Sequence, residues 1–195
     1  MQTRLPDNEL ITLVLKGDQQ AYKVLVDRYQ SYIFTLAYRL MQSREDAEEV
    51  AQDVFVKAYR SLADFKGGSK FSTWLYTIAH NTSITYLRKK KQKILAIDDE
   101  ATFTQLENQE SDFKANQVED KSKKAMVYRA IEMLAPDDAQ IITLFYKGDQ
   151  SLDEIASVMG METNTVKVRL FRARQKLKEK MEKYFAEEVS NLQTV

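Results

Sequence analysis

Leu10, Ile11, Val14 and Leu15 recur at the three- and four-residue spacing of a helix with one buried side. Gly17-Asp18 breaks that pattern and offers a cap for the next stripe. This stripe comprises Ala21, Tyr22, Leu25, Val26 and Tyr29 and continues through Ile33, Leu36, Ala37 and Leu40. Ser43 is a good N-cap for a third helix, with Asp46 as an acid in its first turn. Ala47, Val50, Ala51, Val54, Phe55 and Ala58 mark its inner face. Gly67-Gly68 predicts a loop, and Phe71, Trp74, Leu75, Ile78, Thr82 and Tyr86 or Leu87 predict a fourth helix after it.

The pattern fades from about residue 94 to 120, where Ile94, Leu95, Phe103, Leu106 and Phe113 are scattered among acids and amides. It returns at Ala125, Val127, Tyr128, Ile131 and Leu134. Pro136 before Asp137-Asp138 suits a helix start, and Gly148 ends that helix. The expected architecture is all-α: a four-helix-type domain at 8–93, a flexible acidic linker at 94–120, and a helix-turn-helix domain at 121–186.

Five glycines and two prolines are few for a β-rich chain, which supports the helical reading. Cysteine is absent, so disulfides, thiolate metal sites and cysteine nucleophiles are excluded. The single histidine, His80, cannot form a multi-histidine metal cluster and reads as a surface or nucleic-acid-facing residue. No apolar run approaches the ~20 residues of a membrane span, and Met1 to Asn8 carries no signal-peptide core. The expected location is the cytoplasm.

The net charge of zero hides a strong segregation. Arg60, Lys66, Lys70, Arg88, Lys89, Lys90, Lys91 and Lys93 face a single acid, Asp64, across residues 60–93. Residues 98–120 are acidic but for Lys114, and 163–183 are basic again.

Three constellations carry chemistry. Ser151-Leu152-Asp153-Glu154 has the form of a capping box, and Gly160-Met161 makes a turn into a second helix with Val166, Leu170 and Ala173 inward. That is a helix-turn-helix whose second helix bears Lys167, Arg169, Arg172, Arg174, Lys176, Lys178 and Lys180. Arg and Lys suit guanine edges and phosphates. Phe65 to Phe71 joins Gly-Gly to lysines and aromatic rings, as single-stranded DNA requires, although Phe71 and Trp74 also fit a buried stripe. The helix from Asp46 to Phe55 has an acidic face that needs a basic protein partner.

Taken together these residues resemble a known family. Asp46-Ala-Glu-Glu-Val-Ala-Gln-Asp-Val-Phe55 resembles the core-binding helix of sigma factors of the extracytoplasmic-function (ECF) group, within the sigma-70 family. FKGGSKFSTWLYTIAHNTSITYL, from Phe65 to Leu87, is similar to that family's −10 region, and the stretch ending TVKVRLFRARQKL to its −35 helix-turn-helix. The resemblance runs from about 8 to 183.

It implies a promoter-specificity subunit without catalytic activity or cofactor. Asp46, Glu49, Gln52 and Asp53 would dock on the clamp helices of the largest subunit of RNA polymerase core. Phe65, Lys66, Gly67, Gly68, Ser69, Lys70, Asn81 and Arg88 would take the −10 element as melted single strand. Thr165, Lys167, Val168, Arg169 and Arg172 would meet the −35 element as duplex. The acidic linker would thread a basic path in the polymerase, the holoenzyme would sit on the nucleoid, and an anti-sigma protein is a candidate partner.

The chain departs from the family in carrying Leu134-Ala135-Pro136 where Leu-Pro is usual, Glu162 where a better cap is common, and Val168 at a frequently polar position. The competing reading is a conventional helix-turn-helix regulator that binds duplex operators without polymerase. It leaves the acidic 46–53 face and the aromatic basic loop unused.

Overall fold

The computed structural model describes residues 5–97 and 123–186, and every regular element in them is helical. The first block contains α1 (Asp7–Leu15), α2 (Gln19–Met41), α3 (Arg44–Arg60), a single 3-10 turn (Leu62–Asp64) and α4 (Phe71–Ile97). The second contains α5 (Lys123–Glu132), α6 (Pro136–Tyr146), α7 (Leu152–Met159) and α8 (Thr163–Tyr184). Helix α4 continues through Ile97, past the point where the apolar stripe fades, because Lys89 to Gln92 extend it as good helix formers with exposed side chains. Residues 98–120 of the expected linker lie outside the described residues.

The helix boundaries follow local chemistry. Asp18 accepts from the Gln20 and Ala21 amides at 2.9 and 3.2 Å and opens α2. Gln42, with φ of 52°, ends it in a left-handed turn, and Ser43 then caps α3 through the Asp46 amide. The capping box of α7 is complete: Ser151 N donates to Glu154 at 2.8 Å, and Glu154 N donates back to Ser151 Oγ at 3.2 Å. Such a cap contributes about 1 kcal/mol. An eight-residue helix needs more than that, because short isolated helices are marginal in water. Burial of Ile155, Ala156, Val158 and Met159 supplies it, at roughly 1.5–3 kcal/mol for each large apolar side chain.

In the first block α2, α3 and α4 bury Leu25, Ile33, Leu36, Val50, Val54 and Leu75 between them. Asp7 fixes α1 on α2 by pairing with Arg28 and accepting from Tyr29. An aromatic series then crosses from α2 to α4. Tyr32 lies against Tyr76 at 4.5 Å between centroids, Tyr29 against Phe71 at 5.6 Å, and Phe71 against Phe65 and Trp74 at 5.7 and 5.6 Å. In the second block Ile141, Ile142, Leu144, Ile155, Val166, Leu170 and Ala173 form the centre of α6, α7 and α8.

The two blocks touch. The buried apolar cluster is continuous between them, with Tyr32 and Tyr76 on one side and Leu144 and Ile155 among the residues on the other. The directional contacts across the seam are polar. Tyr32 donates to the Thr143 carbonyl at 3.0 Å, Thr73 donates to Gln150 Oε1 at 2.7 Å, and His80 Nδ1 lies 2.8 Å from Gln140 Oε1. Lys147 donates to Thr35, and Arg39 pairs with Glu132 at 3.4 Å. Gly148 leaves room for this approach: a Cβ there would stand 2.2 Å from the Tyr32 hydroxyl and 2.7 Å from the Leu144 carbonyl.

Gly148→Ala should therefore destabilise the protein by about 1–3 kcal/mol, as overpacking does. Gly68→Ala, which meets nothing within 4 Å, should stay within about 0.5 kcal/mol of the parent. Urea midpoints of the two variants provide the check, and equal midpoints would refute the close fit at Gly148.

Candidate nucleic-acid and polymerase interfaces

Helix α3 presents Glu49, Gln52 and Asp53 to solvent, with Glu48 beside them. Val50, Val54 and Ala58 face inward, so the acids have no route to the core. Asp46 is placed differently from its three partners. Its carboxylate accepts from the Tyr86 hydroxyl at 2.7 Å and from Lys90 at 2.5 Å, both on α4. The Lys90 hydrogen bond is the main force holding this carboxyl below the ordinary aspartate range. The same bond from Tyr86, with a second to Glu49, raises that phenol. Asp46 thus joins α3 to α4, while the other three make up the accessible acidic face.

Lys66, Gly67, Gly68, Ser69 and Lys70 form an exposed loop between the 3-10 turn and α4. Gly67 has φ of 71°, a left-handed conformation that disfavours a side chain, and neither glycine has a neighbour within 4 Å of a Cβ. A nucleic-acid backbone can approach this loop closely. Phe65 is partly buried between Phe71 and Trp74, so it anchors the loop rather than offering a free ring. Phe71 and Tyr76 are buried, which settles their role as packing. Asn81 and Arg88 are exposed seven residues apart on α4, two helical turns on one side, with Ile84 exposed between them.

In the second block Gly160, with φ of 62°, turns α7 into α8. Thr163 donates to Asp153 at 2.7 Å and fixes the start of α8 against α7. Glu162 occupies the N-cap without a side-chain hydrogen bond. Thr165, Lys167, Val168 and Arg172 are exposed, and Phe171, which the sequence reading did not single out, is the most exposed large apolar residue on this helix at 62%. Its position one turn after Lys167 and Val168 was the available signal. Arg169 is half-engaged, pairing with Asp137 of α6 at 2.9 Å. Lys176 pairs with Asp138, and Arg174 lies over the Phe145 and Tyr146 rings at 5.0 and 5.3 Å. The basic helix is therefore two-sided: part of its charge fastens it to α6, and Lys167 and Arg172 remain toward solvent.

Along another part of the second block, α5, α6 and α8 line a groove of about 750 Å³. Tyr128, Ile131, Tyr146, Leu177 and Met181 line it. Among the described residues no group of acids and histidine is disposed to hold a metal, and no helix is long and apolar enough to cross a membrane.

Known proteins match this arrangement along nearly its whole length. The family profile of Sigma-70 region 2 matches residues 25–93, and that of Sigma-70, region 4 matches residues 124–177. The ECF RNA polymerase sigma-E factor of Escherichia coli strain K12 is 36% identical over 189 residues, covering 93% of this chain and 97% of that protein. The chain is an ECF sigma factor of the sigma-70 family. The sigma-E factor of Haemophilus influenzae is likewise 36% identical over 187 residues, covering 93% of this chain and 98% of its own.

Among solved structures, the sigma factor RpoE of Bartonella quintana, in complex with the anti-sigma factor NepR, has the same fold. Its TM-score is 0.63 at 24% identity, covering 83% of this chain and 96% of that one. CnrH, in complex with the cytosolic domain of CnrY, superposes with a TM-score of 0.62 at 24% identity, over 91% and 98% of the two chains. As a sigma factor, this chain serves as the promoter-specificity subunit in transcription initiation, binding polymerase core and recognising −35 and −10 elements. The region 2 match removes the conventional operator-binding regulator, which has no use for such a domain.

The join between α3 and α4 carries a pH signature. Because the folded Asp46 pKa is depressed, its contribution is present above the unfolded value of 3.8 and is lost as pH falls through the folded one. Asp46→Asn should lower the urea midpoint at pH 7, and the deficit relative to the parent should shrink near pH 3. An equal deficit at both pH values would show that the carboxylate charge plays no part.

Proposed function

We propose that this sigma factor docks on the clamp helices of the largest core subunit through Glu49, Gln52 and Asp53, with Asp46 holding α3 in place for them. The observation that carries this is the segregation of charge: an exposed acidic face on α3 stands apart from exposed basic surfaces on the 66–70 loop and on α8. One sign suits a basic protein surface and the other suits phosphates, so the chain bridges polymerase and DNA without competition between its faces.

The domains divide the labour. Residues 8–93 serve core binding and the −10 element, and residues 121–186 serve the −35 element. Lys66 and Lys70 neutralise phosphates of the melted strand, Gly67 and Gly68 admit it, and Ser69 in the loop and Asn81 and Arg88 along α4 supply donors, with Phe65 bracing the loop. Thr165, Lys167, Val168 and Arg172 lie in or beside the −35 major groove, where Val168 and Phe171 suit apolar contact with thymine methyls. Arg169 contributes there from its pairing with Asp137. The linker follows a basic path through the polymerase.

The protein catalyses no reaction and takes no cofactor. It works in the cytoplasm and joins the nucleoid within the holoenzyme. The relatives NepR and CnrY bind motivate an anti-sigma partner for this chain too, for which the apolar groove of α5, α6 and α8 offers a surface.

Run-off transcription with bacterial core, with and without the protein, tests the reading. Discrete transcripts sharing two upstream elements are expected. Asp53→Lys should abolish co-purification with core while leaving the circular dichroism spectrum unchanged. Retained co-purification would remove α3 from the interface. Arg172→Ala should reduce transcription from promoters with a −35 element by roughly tenfold, the loss of about 1–3 kcal/mol expected for one base-reading arginine. An equal loss on templates without that element would contradict the assignment.

A further inference from the structure

The apolar side of α8 outruns the helices that cover it. Val166, Leu170 and Ala173 are buried in the centre of the second block. Leu177 and Met181 continue the same stripe at helical spacing but are only partly buried. With Val127 and Ile131 of α5 and Tyr146 of α6 they line the groove of about 750 Å³. Tyr146 is 62% exposed beside it. Contiguous apolar surface left open to water marks a docking site.

The rim of the groove is cationic. Lys147 lies over the Tyr32 and Tyr128 rings, and Arg174 over those of Phe145 and Tyr146. Lys147 also donates to Thr35, and neither cation pairs with a carboxylate among the described residues. Lys178 has Glu182 one turn on at 3.7 Å, with both side chains exposed. An occupant suited to this groove carries apolar residues on one side and acids beside them.

The chain carries such a segment directly after α8. Phe185 leaves helical geometry, with φ of −136° and ψ of 33°, while its amide donates to the Met181 carbonyl at 2.9 Å. Ala186 is helical again, so the break is a bend of one residue. It lies just past Met181 and Glu182, the last residues of α8 to line the groove. Residues 187–195 read Glu-Glu-Val-Ser-Asn-Leu-Gln-Thr-Val. Val189, Leu192 and Val195 recur at three-residue spacing, which puts them on one side of a helix, and Glu187 and Glu188 supply the acids. Straight continuation of α8 would set those acids at the negative end of its dipole. A return along the groove sets them among its cations instead. The lengths agree: 187–195 would span roughly 13 Å at about 1.5 Å per residue, and the groove follows α8 from Arg174 to Glu182, roughly 12 Å by the same rise.

We propose that residues 187–195 turn back at Phe185 and fill the groove of α5, α6 and α8, with Val189 and Leu192 against Val127, Leu177 and Met181, and with Glu187 and Glu188 among Lys147, Arg174 and Lys178. The tail uses no residue assigned to DNA or to the acidic face of α3, so it stands or falls apart from those assignments. Its consequence is a built-in competitor. Any partner segment that takes this groove, an anti-sigma protein's included, must first displace the tail.

The chain has no cysteine, so an introduced pair reports without interference. In the full chain, Leu192→Cys with Val127→Cys should form a disulfide within one molecule at least tenfold faster than Leu192→Cys with Arg129→Cys. Arg129 is exposed on the same helix but does not line the groove, so the tether is nearly the same length. Equal rates overturn the fold-back. Bridges that form only between two chains, seen as a dimer on a non-reducing gel, give the groove to a second copy and overturn it as well. Val189→Asp with Leu192→Asp supplies a readout free of cysteine. The anionic apolar dye anilinonaphthalene sulfonate should bind that variant at least fivefold more tightly than the parent, because the groove is emptied. An unchanged affinity for the dye overturns the proposal even where the cysteine variants fail to fold.

Discussion

Tyr32 of α2 packs its ring on Tyr76 of α4 at 4.5 Å and gives its hydroxyl hydrogen to the Thr143 carbonyl of α6 at 3.0 Å. A single side chain thus sits in the aromatic series that closes the first block and also touches the second. Burial raises its phenol, and Lys147 lies 5.8 Å above its ring. Gly148 must lack a side chain for the arrangement to exist. The remaining seam contacts are spaced along the same two surfaces, from Arg39 at one end to Lys70 at the other.

Helix α4 is consequently asked to do three things with one sequence. Phe71, Leu75, Tyr76 and Ala79 fill the core, Asn81 and Arg88 face solvent, and Thr73 and His80 meet the second block. A helix with a single buried stripe has a polar side to spare, but α4 has little. This explains why its sequence shows only a blurred stripe around Thr82, Tyr86 and Leu87, and why Thr82 and Ser83 are buried although polar. Lys57 donates to Thr82, which accounts for one of them.

Much of the fold was legible because its signals are local. Asp18, Ser43 and Ser151 cap the helices they precede, Pro136 opens α6, and Val166, Leu170 and Ala173 point inward. The acidic side of α3 and the exposed loop at 66–70 were readable for the same reason, since each is set by neighbours within one or two turns. What escaped were pairings between distant positions. Nothing near Asp46 announces that Lys90 and Tyr86 will take its carboxylate, or that Asp137 will meet Arg169. Aromatic residues in a basic stretch read equally as DNA platforms or as core, and Phe65, Phe71 and Trp74 were decided only by what packs against them.

The seam was the least legible feature, and the reason is chemical. Thr73, His80, Gln140 and Gln150 are ordinary surface residues in composition, and two threonines or amides carry no spacing that marks an interface. A seam without these polar contacts would have shown as a second apolar stripe on α4 and on α7. The same polarity that conceals the contact from a sequence reading lets water replace it, at little net cost per hydrogen bond. Glu154 shows how little such a contact needs from the sequence: the one carboxylate that completes the capping box of α7 also holds Lys70 of the 66–70 loop.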